Sequence, residues 1–207
     1  MRCDKICIST DNSKLGVIPS VALPPIKTCI KNAPCARSCY ARRYMVRFKN
    51  SRKAYDDNLK TLQSDSREYF NSLHKYFNCF NPAYFRIHPA GDFELSKTDK
   101  SINQDYLNSW FLFAEQFPRT KFLAFTKCYD LNYENTPDNV TVIFSAWFNF
   151  PMPETLPAGV RGIAWVQNAA GEETRIPAGA LPCLGRCDSC FTCWNLKQGQ
   201  SVVFDLH

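Results

Sequence analysis

Seven of the eleven cysteines in this 207-residue chain fall into two tight groups, and thiols crowded in this way are its clearest chemical signal. Late in the chain, PCLGRCDSCFTCW places Cys183, Cys187, Cys190 and Cys193 in a C-x3-C-x2-C-x2-C pattern. Soft, anionic ligands on short spacers let the backbone wrap one centre, either zinc or an iron–sulfur cluster. The compact run is closer to cluster-binding sequences than to zinc ribbons, whose cysteine pairs stand about 15 or more residues apart. A [4Fe–4S] cluster is therefore expected at the tail, with zinc as the alternative metal. The earlier group, TCIKNAPCARSCYARR, holds Cys29, Cys35 and Cys39 as C-x5-C-x3-C. Three thiolates can hold three irons of a cubane and leave the last iron open to a substrate or cofactor, as catalytic zinc sites leave one position open. Two other readings stand beside this one. Cys35 and Cys39 could be small buried hydrophobes, or Cys3 or Cys7 could complete a four-thiolate structural site. Cys79 and Cys128 stand alone and read as core packing.

The same stretch is unusually basic. Between Cys29 and Tyr55 there are eight Lys and Arg residues and no Asp or Glu, while the whole chain carries a formal charge of only +6. The positive field is thus local, and the rest of the chain is net negative. A solvated helix face is the plain reading of such a run. The sharper one is a phosphate-binding surface for nucleic acid, with Arg37, Arg42, Arg43 and Arg47 as contacts.

The elements that must position these residues follow from periodicity. Ala36 to Lys49 has no Pro or Gly and is rich in helix formers, so a helix is predicted there. If it begins at Ala36, Cys35 and Cys39 share a face one turn apart and Cys29 reaches in from the preceding loop. Two more helices follow, one carrying Tyr69, Phe70, Leu73, Tyr76 and Phe77 as a single stripe. AYFRIHP then reads as a buried strand ending in AGD, NQDYLNSWFLFAEQF as a helix, and KFLAFT, VTVIFSAWF, GVRGIAWV and SVVFDL as strands. Strand, helix, strand with short connections indicates an α/β fold with right-handed crossovers, either an open sheet with helices or a partial (βα) barrel. The chain is short for a full barrel of roughly 250 residues. Residues 1–176 form the expected α/β domain, and 177–207 a Cys-rich metal-binding tail packed on it.

Parallel sheets place their chemistry at the carboxyl ends of the strands. The polar residues there are Arg86, His88 and Asp92 after the first of these strands, Thr126 and Lys127 after the second, Ser145 and Trp147 after the third, and Gln167 and Asn168 after the fourth. Arg86, His88, Asp92 and Lys127 are the candidate catalytic residues. Arg86 suits the carboxylate and Asp92 the ammonium of an amino-acid-like ligand, although a lone His at a strand end is also a common structural residue. Trp147 and Trp165 read as core or rim aromatics, with base stacking as the other use.

Composition narrows the class. With 45% hydrophobic and 14% aromatic residues the chain can bury a core. MRCDKICISTDNSK has no apolar signal segment, and no apolar run approaches the roughly 18 residues of a membrane span. A soluble protein of a reducing cytoplasm is expected, with no membrane partner.

NSKLGVIPSVALPPIKTC, APCARSCYARR, RIHPAGDF, KFLAFTK, VIFSAW and CDSCFTCW through VVFDLH together resemble the phage and mobile-element family called gene product 88, over nearly the whole chain. The resemblance implies a bacterial or phage-infected host cell and names no reaction. More loosely, a cysteine triplet followed by Tyr-Ala, then a strand ending in Gly-Asp-Phe, is similar to proteins grouped with the radical S-adenosylmethionine enzymes. Their usual triplet is C-x3-C-x2-C. That similarity implies cluster ligands at Cys29, Cys35 and Cys39, S-adenosylmethionine on the open iron, and Asp92 as a contact to its amine. An electron donor such as a flavodoxin or ferredoxin would be a partner. The expectations are then an iron–sulfur enzyme carrying one or two clusters and acting on nucleic acid, a nucleic-acid-binding module with structural metal, or a phage protein that binds a host protein.

Overall fold

The computed structural model of the chain describes residues 2–3, 5–167 and 175–205. The elements run β1 (Arg2–Cys3), β2 (Ile6–Ser9), β3 (Ser20–Val21), α1 (Tyr40–Arg47), α2 (Lys49–Ser64), α3 (Ser66–Phe80), β4 (Tyr84–Ile87), α4 (Lys100–Glu115), β5 (Lys121–Thr126), β6 (Val140–Ser145), β7 (Val160–Gln167), β8 (Leu181–Pro182), α5 (Cys187–Cys190) and β9 (Gln200–Asp205), with a 3-10 turn at Thr192–Asn195. Among the described residues the strands form one open sheet in the order β1-β2-β3-β4-β5-β6-β7-β9-β8. The β1–β2 and β2–β3 pairings are antiparallel, and every other pairing is parallel. The expected α/β class holds, and of the two architectures foreseen the open sheet is the one formed.

The strands alternate because each has two faces to cover. Phe122 and Ala124 of β5 join Val142 and Phe144 of β6 in a large core with α2, α3 and α4, which contribute Leu59, Tyr69, Phe77 and Trp110. Leu123, Phe125 and Ile143 face the other way, where Trp194 and Leu196 of the tail and Leu15 and Ile18 of the early chain cover them. Helices α2, α3 and α4 therefore lie on one face and the cysteine tail, with α5, on the other. The tail is also part of the sheet: β9 pairs with β7 from Gly162↔Gln200 to Gln167↔Asp205 and takes β8 on its outer side.

Helix limits follow local chemistry. The Asp65 side chain accepts from the Glu68 N–H at the start of α3, and Asn81, at φ 41°, ends it just before Pro82. The helix expected from Ala36 instead begins at Tyr40, because the residues before it are taken up in successive turns, Ala36 N–H to Ala33 O and Ser38 N–H to Cys35 O. It stops at Phe48, whose extended backbone separates α1 from α2. Cys35 and Cys39 thus do not share a helical face. Cys128 is buried as expected, whereas Cys79 is exposed on the last turn of α3. Among the described residues no helix is long and apolar enough to cross a membrane.

Candidate functional site

The carboxyl ends of β3, β4, β5 and β6 open onto one edge, and the loop carrying Cys29, Cys35 and Cys39 folds over it. Gly91 makes the close passage possible. It has φ 83°, and a Cβ there would lie 2.5 Å from Thr28 Oγ1 and 2.8 Å from Leu23 O. The next residue, Asp92, donates its N–H to Thr28 Oγ1 at 3.3 Å, which ties the strand end to the residue before Cys29. Its carboxylate is fixed from three sides. Oδ1 accepts from Thr126 Oγ1 at 2.6 Å and from the Phe93 N–H at 2.8 Å, and Oδ2 accepts from the Lys127 N–H at 2.8 Å. Burial pushes this carboxyl up, and those hydrogen bonds together with the Lys127 charge oppose the shift.

The three thiols are all half-buried. Cys29 Sγ accepts the Ile26 N–H at 3.4 Å, and Cys39 Sγ accepts the Arg42 N–H at 3.4 Å as the N-cap of α1. Burial pushes the Cys29 thiol up to about 12, with Asp92, Cys35 and Cys39 adding negative neighbours. Burial also raises Cys35, which the Lys127 ammonium partly offsets. Three thiols, one carboxylate and one ammonium thus lie along one partly buried edge. Lys127 Nζ in turn donates to Ser145 Oγ at 2.7 Å and sits 5.6 Å from the Trp147 ring, and the Tyr129 hydroxyl donates to Ser145 O at 2.6 Å.

Arg86 and His88 part from this group. Arg86 points to the tail face, stacked 4.0 Å over Phe125, with its Nε donating to Ile87 O. Its electrostatic neighbours include Tyr40, Cys193 and Cys187 ahead of Asp92. His88 should share Arg86's face by strand alternation, but its φ of 48° breaks the alternation and turns the ring under α4. There it is 2% exposed, with Nε2 2.9 Å from the Tyr106 hydroxyl and the ring against Phe93 and Trp110. Burial first, then Arg86, lowers its pKa to about 3, so the ring is neutral. The expected trio is therefore split, and Lys127 rather than Arg86 is the cation beside the thiols and Asp92. Of the remaining strand-end candidates, Gln167 is bound to Asp205 at 2.8 Å, and Asn168 lies outside the described residues. Trp165 is buried, donating to Ser201 Oγ, with Arg175 over its ring.

Two contributors escaped the sequence reading. Tyr40 directly follows Cys39, and its hydroxyl donates to Pro89 O, which clamps the start of α1 onto the β4 end. Tyr129 follows Lys127 by two residues, so adjacency to a strand-end residue was the available signal for it.

The tail group is built differently. Cys183, Cys187 and Cys193 pack against the apolar layer with Phe191 and Tyr84. The Cys187 N–H bonds Lys14 O at 2.8 Å, and Cys190 Sγ lies 2.9 Å from Thr192 Oγ1. Burial raises Cys193 to about 12, against the pull of the Arg86 charge. Among the described residues no three His, Cys, Asp or Glu side chains are grouped to hold a metal ion. The tail is thus Cys-rich and integral to the fold, without a preformed single-ion site. The basic segment lies at the surface, with Arg37, Arg42, Arg43 and Arg47 all exposed.

These features define a mostly parallel α/β protein whose thiols and charges meet at the carboxyl edge of its sheet. The family model described as Gene product 88 matches residues 4–196, and the chain belongs to that phage family. No curated protein and no solved structure matches it.

Proposed function

We propose that the chain is an iron–sulfur enzyme of the radical S-adenosylmethionine kind, with Cys29, Cys35 and Cys39 holding a [4Fe–4S] cluster that has one open iron. The observation that carries this reading is the gathering of three half-buried thiols with Asp92 and Lys127 on one strand-end edge. The donor set fits a cluster better than a single ion. Thiols that bind separate irons need not converge on one point, and backbone N–H groups already aim at two of the sulfurs, the kind of contact that tunes such clusters. When bound, the cluster supplies the electron for reductive cleavage of S-adenosylmethionine.

The chain's own part is binding and orientation. Asp92 Oδ2 accepts the Lys127 N–H, and a carboxylate oxygen can take a further bond from an ammonium group. The Lys127 ammonium, held by Ser145, offers its remaining donors to a carboxylate. Arg86 serves the tail side, where the four tail thiols would hold a second cluster or zinc. A flavodoxin or ferredoxin would be the electron donor, and nucleic acid the substrate class.

The test is iron, sulfide and zinc content per chain after purification without oxygen. About eight irons with matching sulfide are expected, falling by about four in Cys29→Ser. Iron unchanged in Cys29→Ser and Cys35→Ser would sink the open-site cluster, and zinc in place of iron would do the same. The exposed basic segment favours a second reading, a nucleic-acid-binding module in which both thiol groups are structural. That reading predicts oligonucleotide binding by protein that does not cleave S-adenosylmethionine under reducing conditions.

A further inference from the structure

The helix that starts at the thiol edge leaves most of its apolar surface uncovered. Of its eight residues only Ala41 is buried, seated against Ala22 and Ala90 at the ends of β3 and β4. Tyr40, Tyr44 and Phe48 follow one another at helical spacing and are 56%, 46% and 40% exposed. The Tyr44 and Phe48 rings lie 4.3 Å apart, and the Arg47 guanidinium sits 5.4 Å from the Phe48 ring. Arg42, Arg43 and Arg47 are exposed alongside them, and among the described residues no ion pair engages Arg42 or Arg47. At its inner end the aromatic row reaches the site, where the Tyr40 hydroxyl bonds Pro89 O.

A row of exposed rings flanked by guanidinium groups has a specific complement. Phosphates match the arginines, and unpaired bases supply flat faces for the rings. A duplex keeps its bases stacked inside and gives the rings nothing to bind. A membrane surface also attracts basic amphipathic helices, so anionic vesicles are the competing occupant that the experiment below has to exclude. We propose that α1 is a docking platform for single-stranded nucleic acid, which stacks on Tyr44 and Phe48 and is led along the row to the Cys29, Cys35 and Cys39 edge. The inference rests on the proposed function only for what happens to the strand at that edge; the platform itself needs no cluster.

The experiment is fluorescence anisotropy of the full-length chain with a labelled mixed-sequence single strand and with the same sequence as a duplex. Iron and sulfide are measured on the same sample. Tighter binding of the single strand is expected, weakening about 20- to 50-fold between about 50 and 200 mM salt for three or four phosphate contacts. Tyr44→Ala and Phe48→Ala should each weaken single-strand binding about ten-fold and leave duplex binding alone. Both side chains are substantially exposed, so these variants should keep the fold, as circular dichroism would verify. Arg42→Gln with Arg47→Gln should reduce the salt slope by about one to two. Equal affinity for duplex and single strand that is untouched by Tyr44→Ala and Phe48→Ala overturns the platform. Binding to anionic phosphatidylserine vesicles but to neither oligonucleotide also overturns it, as does no binding at all. Iron-loaded protein that ignores single strands removes this inference and leaves the cluster standing; iron-free protein that binds them supports the platform and removes the cluster.

Discussion

The two cysteine groups use the same side chain in opposite settings. Cys29, Cys35 and Cys39 sit in loops over the strand ends, among Asp92, Lys127 and backbone N–H donors. Cys183, Cys187 and Cys193 lie in an apolar layer with Leu123, Ile143 and Trp194, where they help cover one whole face of the sheet. Thiols on charged loops can change chemistry without changing the fold. Thiols in a packed layer cannot be separated from it, so the tail is a structural wall whatever it binds.

Trp194→Ala attacks the wall. The ring is 4% exposed and its N–H donates to Phe85 O, so a loss of about 3–5 kcal/mol in denaturant unfolding is expected. A loss below about 1 kcal/mol would mean that the tail rides on the sheet without supporting it. Asp92→Ala attacks the edge. It strands the Thr126 hydroxyl and the Lys127 N–H and should cost about 1–3 kcal/mol by the same measurement.

His88 marks where the edge stops and the helix-side core begins. Its pKa falls from 6.5 unfolded to about 3 folded, so the unfolded chain takes the proton first as pH drops. The stability it contributes is present above pH 6.5 and is lost on going down toward pH 3, at about 1.4 kcal/mol per pH unit. The slope should flatten by that amount in His88→Gln, and an unchanged slope would put the ring back in a solvated site. The smallest effect belongs to Cys35→Ser, which should move the unfolding free energy of metal-free protein by less than about 1 kcal/mol. A larger loss would make the loop thiols part of the wall after all.

Much of the fold was legible because it is written in period and composition. Near-continuous apolar runs gave β5, β6 and β7, and the stripe of Tyr69, Leu73, Tyr76 and Phe77 gave α3. The short strands β1, β3 and β8, of two residues each, carry no period to read. The start of α1 was misplaced because turns and a thiol cap, rather than helix propensity, decide it. At the edge, Asp92 and Lys127 came together because the strand-end rule depends only on topology. Arg86 and His88 separated because one left-handed residue reversed a face, and backbone sign at a histidine is not encoded in its spacing. That Tyr40 bridges α1 to Pro89 depends on a loop path that no local pattern records.

The position of β9 bears on how the chain is made. Residues 200–205 are translated after β7 and β8 yet lie between them, inside the sheet rather than at its margin. On a ribosome, β7 must wait with an open row of backbone donors and acceptors until that strand emerges, and β8 has no partner before then. A nascent chain stalled just short of Gln200 would hold a nearly finished hydrophobic core beside a sticky edge. Such an edge is a template on which a strand of another copy can pair.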